Sequence, residues 1–202
     1  MIKTKSKIIA VSGYLGSGKS TVLNILDKKG FDTVDADRIV HFLYERGRDG
    51  YRKINDFFGE EYILKSGKVN RKKLGRVVFT NTTKLQILEK LIHPLVYNEI
   101  NKILDKNKSK FTFIEAVSLN EKKLISPVQY SIWIDVDKKT GYKRFCKKRR
   151  ISYNEYEQII KYQKKPDKID FKIVNNGTKT ALKKQVDNLL KKLSLCPNTK
   201  RS

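Results

Sequence analysis

Near its amino terminus the chain reads Ser12-Gly13-Tyr14-Leu15-Gly16-Ser17-Gly18-Lys19-Ser20-Thr21, and this stretch decides the fold. From Gly13 to Ser20 it fits G-x-x-x-x-G-K-[ST], the pattern of loops that surround phosphate groups. A short apolar run at residues 7–11 precedes the loop, and apolar residues at helical spacing follow it until Gly30. Because strand, loop and helix occur in the required order, the sequence predicts a binding site for a nucleoside triphosphate.

The residue types in this loop suit phosphate binding. Glycines let backbone N–H groups turn inward around an anion, in conformations that residues with a Cβ avoid. Lys19 adds a positive charge for the β- and γ-phosphates, Ser20 offers a hydroxyl to Mg²⁺, and the following helix points its positive end at the anion. The residues expected to bind ATP here are Gly13, Leu15, Gly16, Ser17, Gly18, Lys19, Ser20 and Thr21.

The length and composition of the chain suit one globular domain with lid-like insertions. Its 202 residues are enough to bury a core, and 39% of them are hydrophobic. No apolar stretch approaches the roughly 20 residues that a membrane-spanning helix needs. The apolar run at residues 8–11 is also too short for the core of a signal peptide. We therefore expect a cytoplasmic protein without a membrane partner.

The chain is strongly basic, because 45 Lys and Arg against 21 Asp and Glu give a net charge of +24. Such an excess favours anionic partners, either polyphosphate ligands or nucleic acids. The lysines, however, are spread along the whole chain among many Asn and Ile residues, which a general compositional bias explains at least as well. We expect no specific nucleic-acid partner, and the sequence leaves the oligomeric state open.

Cysteines and histidines give little support to a metal or redox centre. Cys146 and Cys196 lie in lysine-rich surroundings without C-x-x-C spacing, which favours reduced structural or surface thiols. His41 and His93 are isolated in the sequence, so a zinc site is set aside.

Five short β-like runs alternate with helical periods, at residues 8–12, 31–35, 111–116, 130–136 and 171–175. This alternation predicts an α/β fold with a central five-stranded parallel sheet, flanked by helices and joined by right-handed crossovers. With the phosphate loop, it predicts the fold class of the P-loop NTPases.

The predicted domain covers residues 1–196 and has several parts. They are a core at about 7–37, 111–139 and 168–194, a helical insert at about 38–110, a lid at about 140–167, and a disordered tail at 197–202. Thr83 with Gln86, and Ser152 with Glu155, each fit the capping box that starts a helix. Pro94 lies inside the long helical period of the insert, so we expect it to kink or break that helix.

Acidic residues at the predicted strand ends are candidates for the chemistry, since ligands of open α/β sheets bind beyond those ends. Asp35 and Asp37 follow the second strand, where a carboxylate can accept the proton of an attacking hydroxyl or hold water around Mg²⁺. Either could instead cap the helix that starts near Arg38. We assign a structural role to Asp35 and a functional one to Asp37. Glu115 ends the third strand and is favoured as a ligand-site residue, whereas Asp135 at the end of the fourth is interpreted as a cap or surface carboxylate.

The run Lys-Arg-Phe-Cys-Lys-Lys-Arg-Arg at residues 143–150 allows three interpretations. It lies between a strand and a capped helix, where small-molecule kinases have a lid that excludes water and brings guanidinium groups to the developing charge. A solvated helix face and a nucleic-acid patch are the alternatives.

Several motifs together resemble the dephospho-coenzyme A kinase family. The phosphate loop is similar to the family's T-G-G-I-G-S-G-K-S-T, and Asp-Ala-Asp-Arg-Ile-Val-His at 35–41 is similar to its D-A-D-x-[IV]-[AV]-H. Leu-Ile-His-Pro-Leu-Val at 91–96 nearly matches I-x-H-P-x-[IV]. Further similarities are Phe58-Gly59, Arg71 and Leu74 with Val78-Phe79, Gln163, and Asn175-Asn176-Gly177. The resemblance spans about residues 8–190, and the D-A-D and H-P motifs make it far more specific than the loop alone.

The resemblance implies that ATP, with Mg²⁺, phosphorylates the ribose 3′-hydroxyl of dephospho-coenzyme A, the last step of coenzyme A synthesis. Asp37 would act as base or orient the hydroxyl, Lys19 and Ser20 would hold phosphates and metal, and Arg144 would act from the lid. The helical insert would be the substrate subdomain. Residues implied to bind the acceptor substrate are Asp37, His41, Arg71, His93, Glu115 and Glu121, and Asn175 is implied to bind ATP.

Two segments depart from the family pattern. Residues 115–121 read Glu-Ala-Val-Ser-Leu-Asn-Glu where the family has D-V-P-L-L-F-E, which keeps another nucleoside or nucleotide kinase open as an alternative. The family's second lid arginine falls on Lys148, which keeps the charge but not the planar bidentate contact, although Arg149 follows directly. A basic nucleic-acid-binding ATPase is a further alternative that rests on the net charge alone.

Overall fold

The computed structural model describes residues 6–107, 109–115, 128–146, 151–163 and 165–195. The strands in these ranges are β1 (Lys7–Ser12), β2 (Asp32–Asp35), β3 (Phe111–Glu115), β4 (Val128–Asp135) and β5 (Phe171–Val174). The helices are α1 (Lys19–Lys28), α2 (Ala36–Leu43), α3 (Asp49–Phe58), α4 (Arg71–Thr80), α5 (Thr82–Lys106), α6 (Lys138–Cys146), α7 (Tyr153–Tyr162) and α8 (Lys179–Lys192), with a 3₁₀ turn at Glu60–Tyr62. None of the described helices is both long and apolar enough to cross a membrane.

The strands form one parallel sheet in the order β2-β3-β1-β4-β5. This confirms the predicted α/β architecture with its five-stranded parallel sheet. The strand ends differ from the predicted ones by one or two residues; β4, for example, starts at Val128 rather than Tyr130. Such differences arise because hydrogen bonding, rather than apolar sequence, determines where a strand ends.

The register of the sheet brings two acids to the start of the phosphate loop. Asp35 at the end of β2 pairs with Glu115 at the end of β3, and Glu115 pairs in turn with Val11 of β1. Val11 is two residues before the first glycine of the loop. Because parallel strands end at the same edge, the carboxyl edge of the sheet carries both carboxylates and the loop.

A hydrophobic cluster joins the sheet to α1 and α8 and holds the loop's two flanking elements in place. Apolar residues recur at three- and four-residue spacing in both helices, so each helix turns one face toward the sheet. The buried members of the cluster are Ile9, Val11, Val22, Leu23, Leu26, Phe31, Phe113, Ile132, Ile134, Ile173, Leu182, Val186, Leu189 and Leu190. The strand before the loop and the helix after it are therefore both fixed to the core.

The chain divides into two compact units, one of residues 1–35 and 104–202 and one of residues 36–103. The first unit contains the sheet with α1, α6, α7 and α8. The second contains α2, α3, the 3₁₀ turn, α4 and most of α5, and its one described β contact is an isolated antiparallel bridge between Ile63 and Val69. The predicted single domain, with its insert and lid boundaries, stays a prediction.

The capping-box prediction is confirmed at α7 and wrong at α5. At α7 the Ser152 hydroxyl accepts from the Glu155 N–H, and the Glu155 carboxylate accepts from the Ser152 N–H. At α5 the helix already begins at Thr82, and the Asn81 side chain accepts from the Lys84 N–H at 3.0 Å. Asn is at least as good an N-cap as Thr. Because Asn81 lies two residues before Thr83, the helix begins directly after Asn81, at Thr82.

Of the kink or break expected at Pro94, the break is wrong, because α5 runs through this residue without interruption, and the kink stays a prediction. A proline removes one backbone donor and crowds the preceding turn. Residues on either side, Ile92, Val96 and Ile100, are buried at helical spacing. Burial of this apolar face stabilises the helix on both sides of Pro94 and offsets the lost hydrogen bond.

The corrected cap makes a prediction about stability. Asn81→Ala removes the acceptor for the Lys84 N–H, so we expect the free energy of unfolding to fall by about 1 kcal/mol. Thr83→Ala is the matched control, and we expect a change within about 0.5 kcal/mol, since Thr83 lies inside the helix. Urea denaturation of the two variants measures both values, and a larger loss in Thr83→Ala would contradict the assignment.

Candidate active site

The phosphate loop, residues 13–18, joins β1 to α1. Gly16 and Gly18 have φ angles of +78° and +94°, in the left-handed region that only glycine adopts without strain. The Ser17 N–H donates to the Tyr14 carbonyl at 3.1 Å, which closes the turn. The first N–H groups of a helix have no partner within the helix, so the start of α1 supplies further donors for an anion.

Lys19 is the buried cation of the loop, with only 6% of its surface exposed. Its ammonium group donates to the Gly13 carbonyl at 3.0 Å and to the Tyr14 carbonyl at 3.4 Å. The Glu115 carboxylate, also buried, lies 3.9 Å from the same nitrogen. The predicted phosphate-binding lysine and the predicted ligand-site acid therefore share one buried cluster.

The other strand-end acids have different surroundings. Asp35 is half-buried at the end of β2. Asp135 forms a 2.7 Å ion pair with Lys172 of the neighbouring strand, and the Trp133 indole donates to it at 3.4 Å. The hydrogen bond from Lys172 holds the pKa of the Asp135 carboxyl below its ordinary value. Asp135 thus links β4 to β5 as a charged group.

Asn175 and Arg144 connect the loop to the segment after β5. The buried Asn175 side chain donates to the Ser17 carbonyl at 2.7 Å. Arg144 of α6 donates to the Asn175 carbonyl at 2.6 Å and to the Gly177 carbonyl at 3.3 Å. Both predicted site residues of this part of the chain therefore lie in one network with the phosphate loop.

Helices α6 and α7 contact the tip of the loop through residues that sequence reasoning did not assign to the site. The Tyr156 hydroxyl donates to the Leu15 carbonyl at 2.8 Å, and the Gln163 side chain accepts from the Leu15 N–H at 3.0 Å. A Cβ added to Gly16 would collide with the Gly141 carbonyl. The sequence signal for Gln163 was its place in the family-like segment, whereas Tyr156 reads only as one apolar position of α7.

Asp37 belongs to the second unit, where it is exposed in the first turn of α2. The helix begins at Ala36, before the predicted start near Arg38, so Asp37 is a helical residue and does not occupy the N-cap position. A carboxylate in the first turn interacts favourably with the helix dipole and also remains accessible to a ligand.

The other second-unit candidates fall into two places. Arg71 lies at the start of α4, and its guanidinium group contacts the exposed ring of His41 in the last turn of α2. Nearby, burial raises the pKa of the Tyr44 hydroxyl, an effect that the positive charge of Arg71 partly opposes. His93 lies on α5, where its ring meets Tyr97 edge to face with centroids 6.5 Å apart. The structure thus brings His41 and Arg71 together.

Two side chains with oxygen atoms that suit Mg²⁺ lie on the loop side of the sheet. Ser20 is exposed in the first turn of α1, one residue after the buried Lys19. Glu115 lies within ion-pair distance of Lys19 at the same sheet edge. Because Mg²⁺ in such sites is held by few protein oxygens together with substrate phosphates, a hydroxyl and a carboxylate fit it. Glu121, Lys148 and Arg149 lie outside the described residues.

The family model and the curated relatives identify the same family. The family model for dephospho-CoA kinase matches residues 7–180 of this chain. A Bacillus cereus dephospho-CoA kinase is 32% identical over 195 residues, which is 93% of this chain and 98% of the relative. The chain belongs to the dephospho-CoA kinase family. This confirms the resemblance drawn from the phosphate loop and the D-A-D and H-P motifs.

Solved structures with a similar fold include a dephospho-CoA kinase. A Campylobacter jejuni dephospho-CoA kinase superposes with a TM-score of 0.58 at 26% identity, over 93% of this chain and 97% of that one. A Thermus thermophilus protein superposes with a TM-score of 0.72 at 23% identity, over 94% and 99% of the two chains. At 23% identity the second likeness shows the fold alone.

The close approach of Gly16 to α6 leads to a prediction. Gly16→Ala forces a side chain into a left-handed conformation and against the Gly141 carbonyl, so we expect the loop to distort and the affinity for ATP to fall at least about 10-fold. Gly177→Ala is the control, because its added Cβ would lie 3.8 Å from the nearest atom, in ordinary contact with Ala181. Calorimetric titration with ATP measures both variants, and equal affinities would show that the loop tolerates the collision.

Proposed function

We propose that the chain transfers the γ-phosphoryl group of ATP to the ribose 3′-hydroxyl of dephospho-coenzyme A, giving coenzyme A and ADP. The observation that carries the proposal is a buried lysine held in a glycine-rich phosphate loop, in a chain of the dephospho-CoA kinase family. Phosphoryl transfer depends mainly on positioning and on charge stabilisation, and these are what the loop supplies.

Lys19 and the loop would bind the phosphates of ATP. On binding, the Lys19 ammonium would exchange its bonds to the Gly13 and Tyr14 carbonyls for β- and γ-phosphate oxygens. The Gly16 N–H and the N–H groups at the start of α1 would donate to the same phosphates, whereas the Leu15 and Ser17 N–H groups already have partners. Since the core fixes β1 and α1 beforehand, these donors need little reorganisation as negative charge develops in the transition state.

Asp37 would accept the proton of the attacking 3′-hydroxyl or orient that hydroxyl. Its exposed carboxylate in the first turn of α2 supports this role, as does the D-A-D motif that it completes. Asp35, two residues earlier, ends β2 and pairs in register with Glu115. A general base needs an accessible oxygen atom, and that atom must come within hydrogen-bond distance of the proton that it accepts. The exposed side chain of Asp37 satisfies the requirement of accessibility.

Ser20 and Glu115 would hold Mg²⁺ together with the ATP phosphates. When bound, the ion would neutralise phosphate charge and orient the β- and γ-oxygens. The Glu115 carboxylate lies 3.9 Å from the Lys19 ammonium group, so it would also keep this ammonium group directed toward the phosphates.

Arg144 and Asn175 would complete the ATP side of the site. Asn175 binds the Ser17 carbonyl and so supports the loop from behind. Arg144, held by the carbonyls of residues 175 and 177, would act on the transferring phosphoryl group after releasing one of them. The residues proposed for the acceptor substrate are His41, Arg71, His93, Glu115 and Glu121, of which the adjoining His41 and Arg71 suit an anionic group.

The direct test is an assay with the purified full chain, ATP, MgCl₂ and dephospho-coenzyme A, in which mass spectrometry detects coenzyme A. We expect turnover that EDTA abolishes and excess MgCl₂ restores, and no comparable turnover with AMP, adenosine or shikimate. Absence of coenzyme A from a folded, ATP-binding protein would remove the substrate assignment. Turnover of another nucleoside or nucleotide in the panel would replace it with the broader kinase alternative.

We also propose that the chain works in the cytoplasm. We propose further that it has no specific nucleic-acid partner, since its lysines are spread along the whole chain. Electrostatic binding to duplex DNA that disappears by about 0.2 M salt fits this proposal. Tight binding with a steep salt dependence that persists at physiological ionic strength contradicts it.

A further inference from the structure

The two peptide groups that flank Leu15, at the tip of the phosphate loop, are each bonded to a side chain near the two ends of α7. Tyr156 donates its hydroxyl hydrogen to the Leu15 carbonyl at 2.8 Å. Gln163, which follows the last turn of α7, accepts from the Leu15 N–H at 3.0 Å. Both backbone groups of one loop residue are thus committed to a helix distant in sequence.

The bond to Gln163 determines where the Tyr14 carbonyl points. A trans peptide holds its N–H and C=O in opposite directions, so directing the Leu15 N–H toward Gln163 directs the Tyr14 carbonyl away from it. That carbonyl accepts from the Ser17 N–H at 3.1 Å and from the Lys19 ammonium at 3.4 Å. Gln163 therefore acts, through one peptide, on the turn of the loop and on its lysine.

The bond to Tyr156 has the corresponding effect on the next peptide. With the Leu15 carbonyl directed toward Tyr156, the Gly16 N–H must point in the opposite direction. A flipped peptide would exchange this donor for a carbonyl oxygen, which repels phosphate. Gly16 has a φ of +78°, a conformation from which glycine rotates readily, so an external bond is needed to select one orientation.

The surroundings of Tyr156 fit a permanent donor. The residue is 1% exposed, and its ring packs on Tyr142 and Phe145 of α6 with centroids 5.7 Å and 5.9 Å away. Burial raises its pKa to about 12, so the hydroxyl keeps its proton at neutral pH. Gly141 makes room for this hydroxyl, because a Cβ there would collide with it.

We propose that Tyr156 and Gln163 are positioning residues for phosphoryl transfer, which hold the two peptides at Leu15 in the orientation that binds the phosphates of ATP. They act through the loop backbone and not by contact with a substrate. The inference rests on the proposed function only in that ATP is the ligand of the loop. Their loss lowers the fraction of loops able to bind, so the apparent affinity for ATP falls in proportion.

The experiment measures ATP binding without the acceptor substrate, so it does not depend on coenzyme A formation. Tyr156→Phe and Gln163→Met each remove one hydrogen bond at nearly constant volume. We expect each to raise the calorimetric Kd for ATP by about 3–10-fold, the equivalent of one hydrogen bond. In the assay, KM for ATP should rise by a similar factor, while KM for dephospho-coenzyme A and kcat at saturating ATP change less than about 2-fold.

Matched controls on the same helix separate positioning from mere support. Tyr153→Phe removes a hydroxyl that has no hydrogen bond in the part of the chain that the structure describes, and Gln158→Met changes an exposed glutamine. Both should leave the Kd for ATP within about 2-fold of the unaltered protein. The single tryptophan gives a second readout, because the Tyr14 ring lies 4.9 Å from the Trp133 ring, and Trp133 emission should change in Tyr156→Phe and Gln163→Met alone.

The outcomes distinguish the two proposals. If the melting temperature falls in Tyr156→Phe and Gln163→Met but the Kd for ATP stays within 2-fold, the contacts are structural only and the inference is overturned. An equal rise of Kd in the controls overturns it as well. If ATP binding responds as expected but no coenzyme A forms, the inference stands and the proposed acceptor substrate fails.

Discussion

Replacing Asp37 by asparagine is expected to lower kcat by about 100-fold or more, while the Kd for ATP changes only a few-fold. Asparagine keeps the size and the hydrogen-bonding oxygen of the side chain but cannot accept the proton of the 3′-hydroxyl. Asp37 is exposed in the first turn of α2, so the change removes no packing. Steady-state kinetics with saturating ATP and dephospho-coenzyme A measure kcat, and calorimetry measures the affinity for ATP.

Asp49→Asn is the matched control for this prediction. Asp49 is also an exposed acid in the first turn of a helix of the same unit, α3, with an ion pair to Arg52 at 3.5 Å. An exposed pair of this kind contributes at most about 1 kcal/mol to stability, so kcat should stay within 2-fold. Near-normal turnover of Asp37→Asn would reduce Asp37 to a partner of the helix dipole.

Replacing Lys19 by methionine is expected to reduce kcat/KM for ATP by at least about 100- to 1000-fold. Methionine fills a similar volume but provides no charge for the phosphates. It also leaves the Glu115 carboxylate, 3% exposed, without the ammonium group 3.9 Å away. Removing one member of a buried pair costs up to about 3–5 kcal/mol, so the variant should also melt at a lower temperature.

A double variant separates these two consequences of the Lys19 change. Lys19→Met with Glu115→Gln removes both charges, so the melting temperature should recover in part while kcat/KM stays low. Lys172→Met is the control variant, because it breaks the 2.7 Å ion pair with Asp135 at a half-exposed site. There we expect a loss of stability of about 1 kcal/mol or less and little loss of turnover. Recovery of activity in the double variant would mean that Lys19 serves folding alone.

The sequence predicted those parts of the site that are encoded by neighbours in the chain. The phosphate loop is contiguous, and its glycines, lysine and flanking periods are all read from one short stretch. The capping box at Ser152 and Glu155 has the same local character. Sequence periodicity predicted the five-stranded sheet but not the order of its strands. The register that places Asp35 beside Glu115 depends on that strand order, so it came from the structure.

The parts that sequence reasoning missed depend on distant residues or on competing local signals. Tyr156 and Gln163 reach Leu15 across 141 and 148 positions of the chain, so the local sequence of α7 and of the residue after it does not predict these two bonds. The cap of α5 was misassigned because three suitable capping residues, Asn81, Thr82 and Thr83, follow one another in the sequence. The break at Pro94 was expected because local propensity was weighed without the buried face that continues on both sides.

Gly141 and Tyr156 limit the order in which this chain can accept substitutions over generations. A methyl group at position 141 would meet the Tyr156 hydroxyl, whereas its other neighbours, Val136 Cγ1 at 3.3 Å and the Leu15 carbonyl at 3.4 Å, need only small shifts. Losing the hydroxyl first opens the space, and alanine can then follow at 141. The reverse order passes through a protein with a steric clash beside its nucleotide loop. Descendants of this chain should therefore change position 156 before position 141.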